Sequence, residues 1–391
     1  MEKARKIMIG ILPFFLDKYG YLVKAYEKLG YEVVVLASDL YGTNKKVNER
    51  YNAKIIGLPK NPFFKTLKVF WSLLKEKPDY LEIYDYSVLT FPIIIFSKIL
   101  GINTSIVIIG WELYRNDPFA NRRKNLIQRL KDNLKRLLTW KALHFVDLII
   151  VKEFHSLQII LKQKKLENKT IFQPNCIPLP EWETIKRISE REIHILWLNR
   201  IHRVKKAKDL VTAIGFFEEQ YQHVYGNKPN VRVKIVGFNV LNRTPSMDPE
   251  YEYEVLKAVE EHNKKFSTKI EVLPFTDNPH EFYRNSKIFV LISEIVFLNY
   301  ALLEAMSYGM IPIISKGEGY EKVILENYNG FTFEYGNVEE LARKIFQVLT
   351  LPSDLAEKIS ENAYNTVKEN FSIETWVKNV MKARIETQRQ H

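Results

Sequence analysis

Short branched apolar runs alternate with helical segments from one end of this chain to the other, and that alternation limits the fold more than any other feature. Residues 6–12 (KIMIGIL) and 32–37 (EVVVLA) have the length and branching of buried strands, and 21–29, ended by Gly30, has helical spacing. Strand and helix follow at 54–58 and 63–75, then at 80–84 and 87–100, with another strand at 104–109. The pattern restarts after residue 190. Strands at 194–198, 231–237, 269–275, 288–292 and 311–315 interleave with helices at 208–220, 251–265, 279–285 and 300–308. Strand, helix, strand in sequence implies parallel sheets joined by right-handed crossovers. The fold class is therefore α/β, with two Rossmann-like parallel-sheet domains. Pro178 and Pro180 stiffen a linker, which puts the hinge near 178–190 and the domains at 1–180 and 181–372.

A length of 391 residues suits two such domains. Cys176 is the sole cysteine, so no internal disulfide can form, and the chain fits a reducing, cytoplasmic setting. Residues 1–10 lack the apolar core and cleavage site of a secretory signal. The most apolar region, 88–110, is broken by Pro92, Lys98, Gly101 and Asn103, whereas a membrane span needs roughly 20 unbroken apolar residues. No span is expected. Charge is unevenly placed: residues 1–180 hold 30 basic and 16 acidic side chains, a net +14, and residues 181–391 hold 28 and 30, a net −2. The first half thus seeks an anionic partner, such as a polyprenyl phosphate, an anionic lipid surface or nucleic acid.

The stretch 293–319, SEIVFLNYALLEAMSYGMIPIISKGEG, carries the chemistry. A helix that begins directly after a strand aims free N–H groups and a positive dipole end at the turn, so residues 298–301, with Asn299, Tyr300 and Ala301, form a seat for a phosphate. Glu304 lies one turn in, where it accepts hydrogen bonds from sugar hydroxyls. Residues 199–210 follow another strand and place Arg200 and Lys205 in the loop beyond it. Gly237 ends a strand where backbone can approach a ligand. Gly110, Trp111 and Glu112 follow a strand in the first half, where open parallel sheets bind ligands. Glu112 could deprotonate an acceptor hydroxyl and Trp111 could stack on a sugar; a surface Glu and a packed Trp are the plain alternative.

These residues resemble the donor site of the family-four glycosyltransferases of the GT-B fold. Ser293, the Leu303-Glu304-Ala305-Met306 run and Gly309-Met310-Ile311-Pro312 fall in register with that family's signature, whose first Glu has Val296 in its slot and Glu294 as the nearest carboxylate. Extended backbone at 293–297 would set positions 294 and 296 on one face about 7 Å apart, letting Glu294 reach the same pocket. In the Gly-Arg…Lys-Gly pattern of the family, Arg200 and Lys205 hold the diphosphate positions, and Asn199 and Lys206 replace glycines. Pro174-Asn175-Cys176-Ile177 is similar to the end of the family's first domain. The resemblance implies two domains facing a cleft, an acceptor on the first, a nucleotide sugar on the second, and a last helix, within 373–391, that returns to the first domain. It also implies retention of anomeric configuration, with Glu304 on the ribose and Glu294 beside the transferred sugar.

The expected function is metal-independent transfer of a sugar from a nucleotide-diphosphate sugar to a lipid-linked or polysaccharide acceptor, with no cofactor. Neither Asp-x-Asp nor a zinc-like Cys/His spacing occurs, the first domain lacks Gly-x-Gly-x-x-Gly, and nucleotide sugar is the one small partner implied. A non-catalytic GT-B-like binding protein is one alternative, raised by Val296, Asn199 and Lys206. A nucleic-acid-binding or DNA-modifying glucosyltransferase is the other, raised by the basic first half, though nucleic acid is the less favoured partner. Residues 121–145 read as a long amphipathic helix with Leu126, Ile127, Leu130, Leu134, Leu137, Leu138 and Trp140 in one stripe and a basic back. Its stripe is expected to pack on its own sheet; the alternative is a peripheral position on the anionic inner face of a membrane. A second candidate for apolar contact is 63–74, with Phe63, Phe64, Phe70 and Trp71, where a hydrophobic acceptor tail could rest.

Overall fold

The computed structural model of the chain describes residues 5–14, 17–39, 54–110, 112–114, 125–294, 296 and 299–389. It divides into two units, residues 1–178 with 373–391, and residues 179–372. In unit 1 the order is β1 (Lys6–Phe14), α1 (Asp17–Lys28), β2 (Glu32–Asp39), β3 (Lys54–Gly57), α2 (Pro62–Glu76), β4 (Tyr80–Ile83), α3 (Thr90–Ile99), β5 (Asn103–Ile108), α4 (Leu126–Phe145), β6 (Leu148–Val151), α5 (Phe154–Leu161), α6 (Lys164–Glu167) and β7 (Thr170–Phe172). The strands lie side by side as β3-β2-β1-β4-β5-β6-β7, all parallel. Both faces of this sheet are covered, which is why its strands read as continuous apolar runs. In β1, Ile7 and Ile9 join the core on one face, and Met8 and Ile11 the core on the other.

Unit 2 runs β8 (Ile193–Leu198), α7 (Ala207–Tyr225), β9 (Val233–Phe238), α8 (Pro249–Lys265), β10 (Ile270–Pro274), α9 (His280–Asn285), β11 (Ser286–Leu291), α10 (Tyr300–Ser307), β12 (Ile311–Ser315), β13 (Phe331–Phe333), α11 (Val338–Leu349) and α12 (Ser353–Asn370). Its parallel sheet is ordered β10-β9-β8-β11-β12-β13. The strand order reverses between β8 and β11, and the two loops leaving the carboxyl ends of those strands diverge there. Open α/β sheets bind ligands at such a point.

The last helix, α13 (Ile373–Arg389), belongs to unit 1, where Trp376, Val377 and Val380 join the core that contains Tyr26 of α1. From α13 the Arg384 side chain, 0% exposed, pairs with Glu82 of β4 and donates to Ser105 Oγ at 2.9 Å. Glu82 also accepts from Tyr26 Oη at 2.9 Å and Tyr84 Oη at 2.6 Å. A buried charge is tolerated only with such compensation.

The stripe of α4 is where the structure corrects the sequence reading. The helix begins at Leu126 on a capping box, the Asn125 side chain accepting from Gln128 N while the Gln128 side chain accepts from Asn125 N. The buried side is made of Thr139, Ala142 and Leu143. Of the expected stripe, Trp140 packs half-buried against the core and Leu138 is half-buried, whereas Leu126, Ile127, Leu130, Leu134 and Leu137 stand in solvent. A 100°-per-residue projection puts the buried set and the exposed set on opposite sides, so Thr139, Ala142 and Leu143 dock the helix and most of the apolar stripe is left over.

Candidate active site

Beyond Leu198, β8 runs into a loop with four cationic side chains, Arg200, Arg203, Lys205 and Lys206, and the structure separates them by what they touch. Arg203 lies 2.8 Å from Glu254 and 3.4 Å from Asp248, and Lys206 lies 4.0 Å from Asp209 and 4.0 Å above the Tyr335 ring. The helix beyond starts at Ala207, and the backbone N–H of Lys208 in its first turn donates to Tyr251 Oη at 3.2 Å. Arg200 and Lys205 differ: among the described residues neither has a carboxylate partner. Lys205 Nζ donates to the neutral Ser293 Oγ at 3.0 Å, and Arg200 Nη1 lies 2.8 Å from Met247 Sδ. Burial alone pushes the Lys205 ammonium below its ordinary value. A partly buried cation without a counter-charge is an incomplete arrangement that an anion would complete. Lys206, standing where the resemblance has glycine, keeps a left-handed φ of 45°, the conformation that glycine adopts without strain.

The loop after β11 meets these cations from the other side. Ser315 Oγ accepts from Ser293 N at 2.8 Å and donates to Ser293 O at 2.7 Å, fixing the residue whose hydroxyl holds Lys205. Glu318 N donates to Glu294 O at 2.7 Å, and Val296 N to Glu318 O at 3.2 Å. Gly317 passes so close that a Cβ there would overlap the Ser293 carbonyl oxygen. Asn299 then caps α10, its Oδ1 accepting from Leu302 N at 3.3 Å.

Seven residues read from the sequence, Arg200, Lys205, Gly237, Asn299, Tyr300, Ala301 and Glu304, line one cavity of about 550 Å³. Phe275 and Thr276, after β10, line it too. Burial pushes the Glu304 carboxyl up to about 7, against a hydrogen bond from Tyr283 Oη at 3.0 Å that favours the ionised form. Gly237 has φ 134°, and a Cβ there would overlap the Asn199 carbonyl oxygen. What approaches it is therefore the chain's own β8 loop.

Other expected residues lie apart from the cavity. Glu294 is exposed and hydrogen-bonds the Tyr335 hydroxyl, which burial and then the Glu294 charge push up to about 12. Val296 is fully buried. Glu112 belongs to unit 1 and accepts from Gly110 N at 2.8 Å. Trp111 and Leu298 lie outside the described residues. Among the described residues no group of three or more His, Cys, Asp or Glu is arranged to hold a metal ion, and no helix is long and apolar enough to cross a membrane.

Sequence reasoning missed Tyr283, whose hydroxyl reaches Glu304 across 21 positions that show no pattern. It also passed over Asn199 as a lost glycine. Asn199 lines the cavity, and its Nδ2 is buried with no partner among the described residues.

A model of the glycosyl transferases group 1 family matches residues 180–366, the span that holds every residue of this cavity. The chain carries a glycosyl transferase group 1 domain. Among curated relatives, an uncharacterized glycosyltransferase of Haemophilus influenzae is 24% identical over 370 residues, covering 90% of this chain and 91% of the relative. One from Methanocaldococcus jannaschii is 35% identical over 83 residues, which span 20% of that relative's length. A glycosyltransferase from Rickettsia africae superposes over 100% of both chains with a TM-score of 0.72 at 18% identity. Anabaena HepE, solved in complex with UDP-glucose, covers 96% of this chain and 98% of its own, with a TM-score of 0.68 at 15% identity. These likenesses give the glycosyltransferase chain the GT-B fold.

Proposed function

We propose that this glycosyltransferase moves a sugar from a nucleotide-diphosphate sugar, held by unit 2, to a lipid-linked or polysaccharide acceptor held by unit 1. The transfer retains anomeric configuration and needs no metal. One observation carries the reading: Arg200 and Lys205, with no carboxylate partner among the described residues, line a single cavity with Glu304 and the start of α10. A diphosphate between them supplies the missing negative charge. As the bond from the anomeric carbon to the diphosphate oxygen breaks, charge grows on that oxygen, and two fixed cations stabilise it more than they stabilise the bound donor. They bring the charge that a divalent ion brings in other transferases. Glu304, once ionised, accepts from the ribose hydroxyls. Retention rests on the resemblance at 293–319, with a leaving-group oxygen taking the acceptor's proton from the face that it vacates. Glu294 stays in the proposal beside the transferred sugar, and Glu112 as the carboxylate on the acceptor side. The +14 of residues 1–180 favours an anionic acceptor and peripheral contact with an anionic membrane.

Anabaena HepE was solved with UDP-glucose, which makes that the first donor to try. The purified chain, with a chelator present, is incubated with a panel of nucleotide sugars, and sugar release or transfer is followed by NMR, which also reads the anomer formed. Turnover lost in Lys205→Ala and Glu304→Ala supports the reading; turnover that both variants keep contradicts it. A non-catalytic nucleotide-sugar-binding protein is the second reading, favoured by the burial of Val296 where the resemblance has a carboxylate. Binding of the donor with no release or transfer to any acceptor would select it.

A further inference from the structure

Unit 1 covers one face of its sheet with α2, α3 and α4, and two of these helices are apolar on both sides. α2 buries Val69 and Leu73, yet Phe63, Phe64, Leu67, Trp71 and Leu74 stand in solvent on its opposite side. α4 docks through Thr139, Ala142 and Leu143 and leaves its stripe outward, with Leu126 72% and Ile127 64% exposed. Ile99, at the end of the intervening α3, is 76% exposed. A helix at the surface of a water-soluble domain has one apolar stripe and spends it on the core. Second stripes on α2 and α4 of one layer amount to an exposed apolar surface of the kind that marks a contact site.

The charges around the stripes say which partner fits. The three helices carry nine basic residues and two acidic ones, and one of the acids, Glu76, is taken up by Lys6 and Lys54. Trp71 is half-exposed with Lys68 Nζ 4.6 Å and Lys75 Nζ 4.8 Å from its ring centroid. An aromatic body with ammonium groups on a long stem beside it suits a boundary that is apolar below and anionic above. On α4, Arg129 and Arg136 flank the stripe on one side and Lys131 on the other, the arrangement of a helix lying in an interface plane. A second copy of this chain would set nine basic residues against the same nine. A nucleic acid would meet the lysines but leave Leu126, Ile127 and Leu130 in water.

We propose that the outer faces of α2 and α4 dock unit 1 on an anionic lipid surface, the two stripes entering the headgroup boundary and the flanking basic residues meeting phosphates. This deepens the acceptor side of the proposed function and rests on it only for why a transferase should sit there. The face itself lies in unit 1 and is independent of the donor cavity. The test is cosedimentation of the full chain with phosphatidylcholine vesicles, with and without phosphatidylglycerol. The wild-type chain should pellet with the anionic vesicles and stay in solution with the neutral ones. Leu130→Ser/Leu134→Ser and, separately, Trp71→Ser should each bind about tenfold more weakly, with unchanged melting temperature because these side chains make no core contact.

A nucleotide-sugar-induced thermal shift, recorded on the same samples, reads unit 2. Vesicle binding without that shift would refute the donor reading and leave the docking face standing. The docking proposal is overturned if the wild-type chain ignores anionic vesicles, or if the three substitutions leave vesicle binding unchanged. It is equally overturned if the wild-type chain is a dimer in lipid-free solution that Leu130→Ser/Leu134→Ser dissociates, or if it binds duplex RNA but no vesicles.

Discussion

Arg384 in unit 1 and Lys205 in unit 2 are both withdrawn from water, and the chain treats them in opposite ways. Arg384 has Glu82, the Ser105 hydroxyl and the rings of Tyr26 and Tyr80 around it. Among the described residues Lys205 has one neutral hydroxyl, Ser293 Oγ. Desolvating a charge is offset only by a counter-charge and hydrogen bonds. Unit 1 supplies both from within, so its cation holds α13 to the sheet. Unit 2 offers Lys205 no carboxylate among the described residues, and under the proposed donor site a diphosphate supplies the missing charge. On that reading a cation paired with a carboxylate inside the fold is structural, and one left open toward a cavity is poised to bind.

The contrast breaks most visibly at Arg384. Arg384→Met leaves Glu82 buried without its partner and should lower stability by about 3–5 kcal/mol, read by denaturant unfolding. Lys205→Ala should do the reverse, leaving stability level or slightly raised while donor affinity falls about 10- to 100-fold, the range for a lost charged hydrogen bond of about 1.5–3 kcal/mol. Equal stability losses in the two variants would erase the distinction.

Glu304 sharpens it from the acidic side. Its folded value of about 7 lies above the ordinary 4.5, so the folded chain holds this proton more tightly than the unfolded chain does. Ionising it therefore costs stability: the penalty is absent below about 4.5, grows through the interval and is complete above about 7. Glu304→Gln should accordingly melt higher than wild type at pH 8, with a smaller gain at pH 6, and bind donor weakly at both. Wild-type affinity for a nucleotide sugar should rise with pH through about 7, because the ionised carboxyl is the acceptor for the ribose hydroxyls. The smallest effect belongs to Tyr283→Phe, which removes the hydrogen bond that favours the ionised form. The midpoint of that affinity profile should move upward by about half a unit to one unit; a downward move would contradict the assigned hydrogen bond.

The elements were readable because the signals that define them are local. The strand read at 311–315 runs in the structure as Ile311–Ser315, after Gly309 ends the helix before it, and the helix read at 251–265 runs as Pro249–Lys265. The cavity was readable at Arg200, Lys205 and Glu304 because a strand-loop-helix order fixes which residues reach a sheet's carboxyl edge. Partners are another matter. The Arg384–Glu82 pair spans 302 positions, and the Tyr283–Glu304 contact joins a six-residue helix to a neighbouring one. The direction of the α4 stripe failed for a different reason. Spacing shows that a stripe exists, and only packing shows what covers it; here Thr139, Ala142 and Leu143 took the sheet.

The most direct measurement is a calorimetric titration of the wild-type chain and Lys205→Ala with UDP, GDP and ADP in the presence of a chelator. At least one of the three should bind the wild-type chain and bind Lys205→Ala about tenfold or more weakly. No binding of any of them, or binding that Lys205→Ala leaves unchanged, would contradict a diphosphate seated on Arg200, Lys205 and the start of α10.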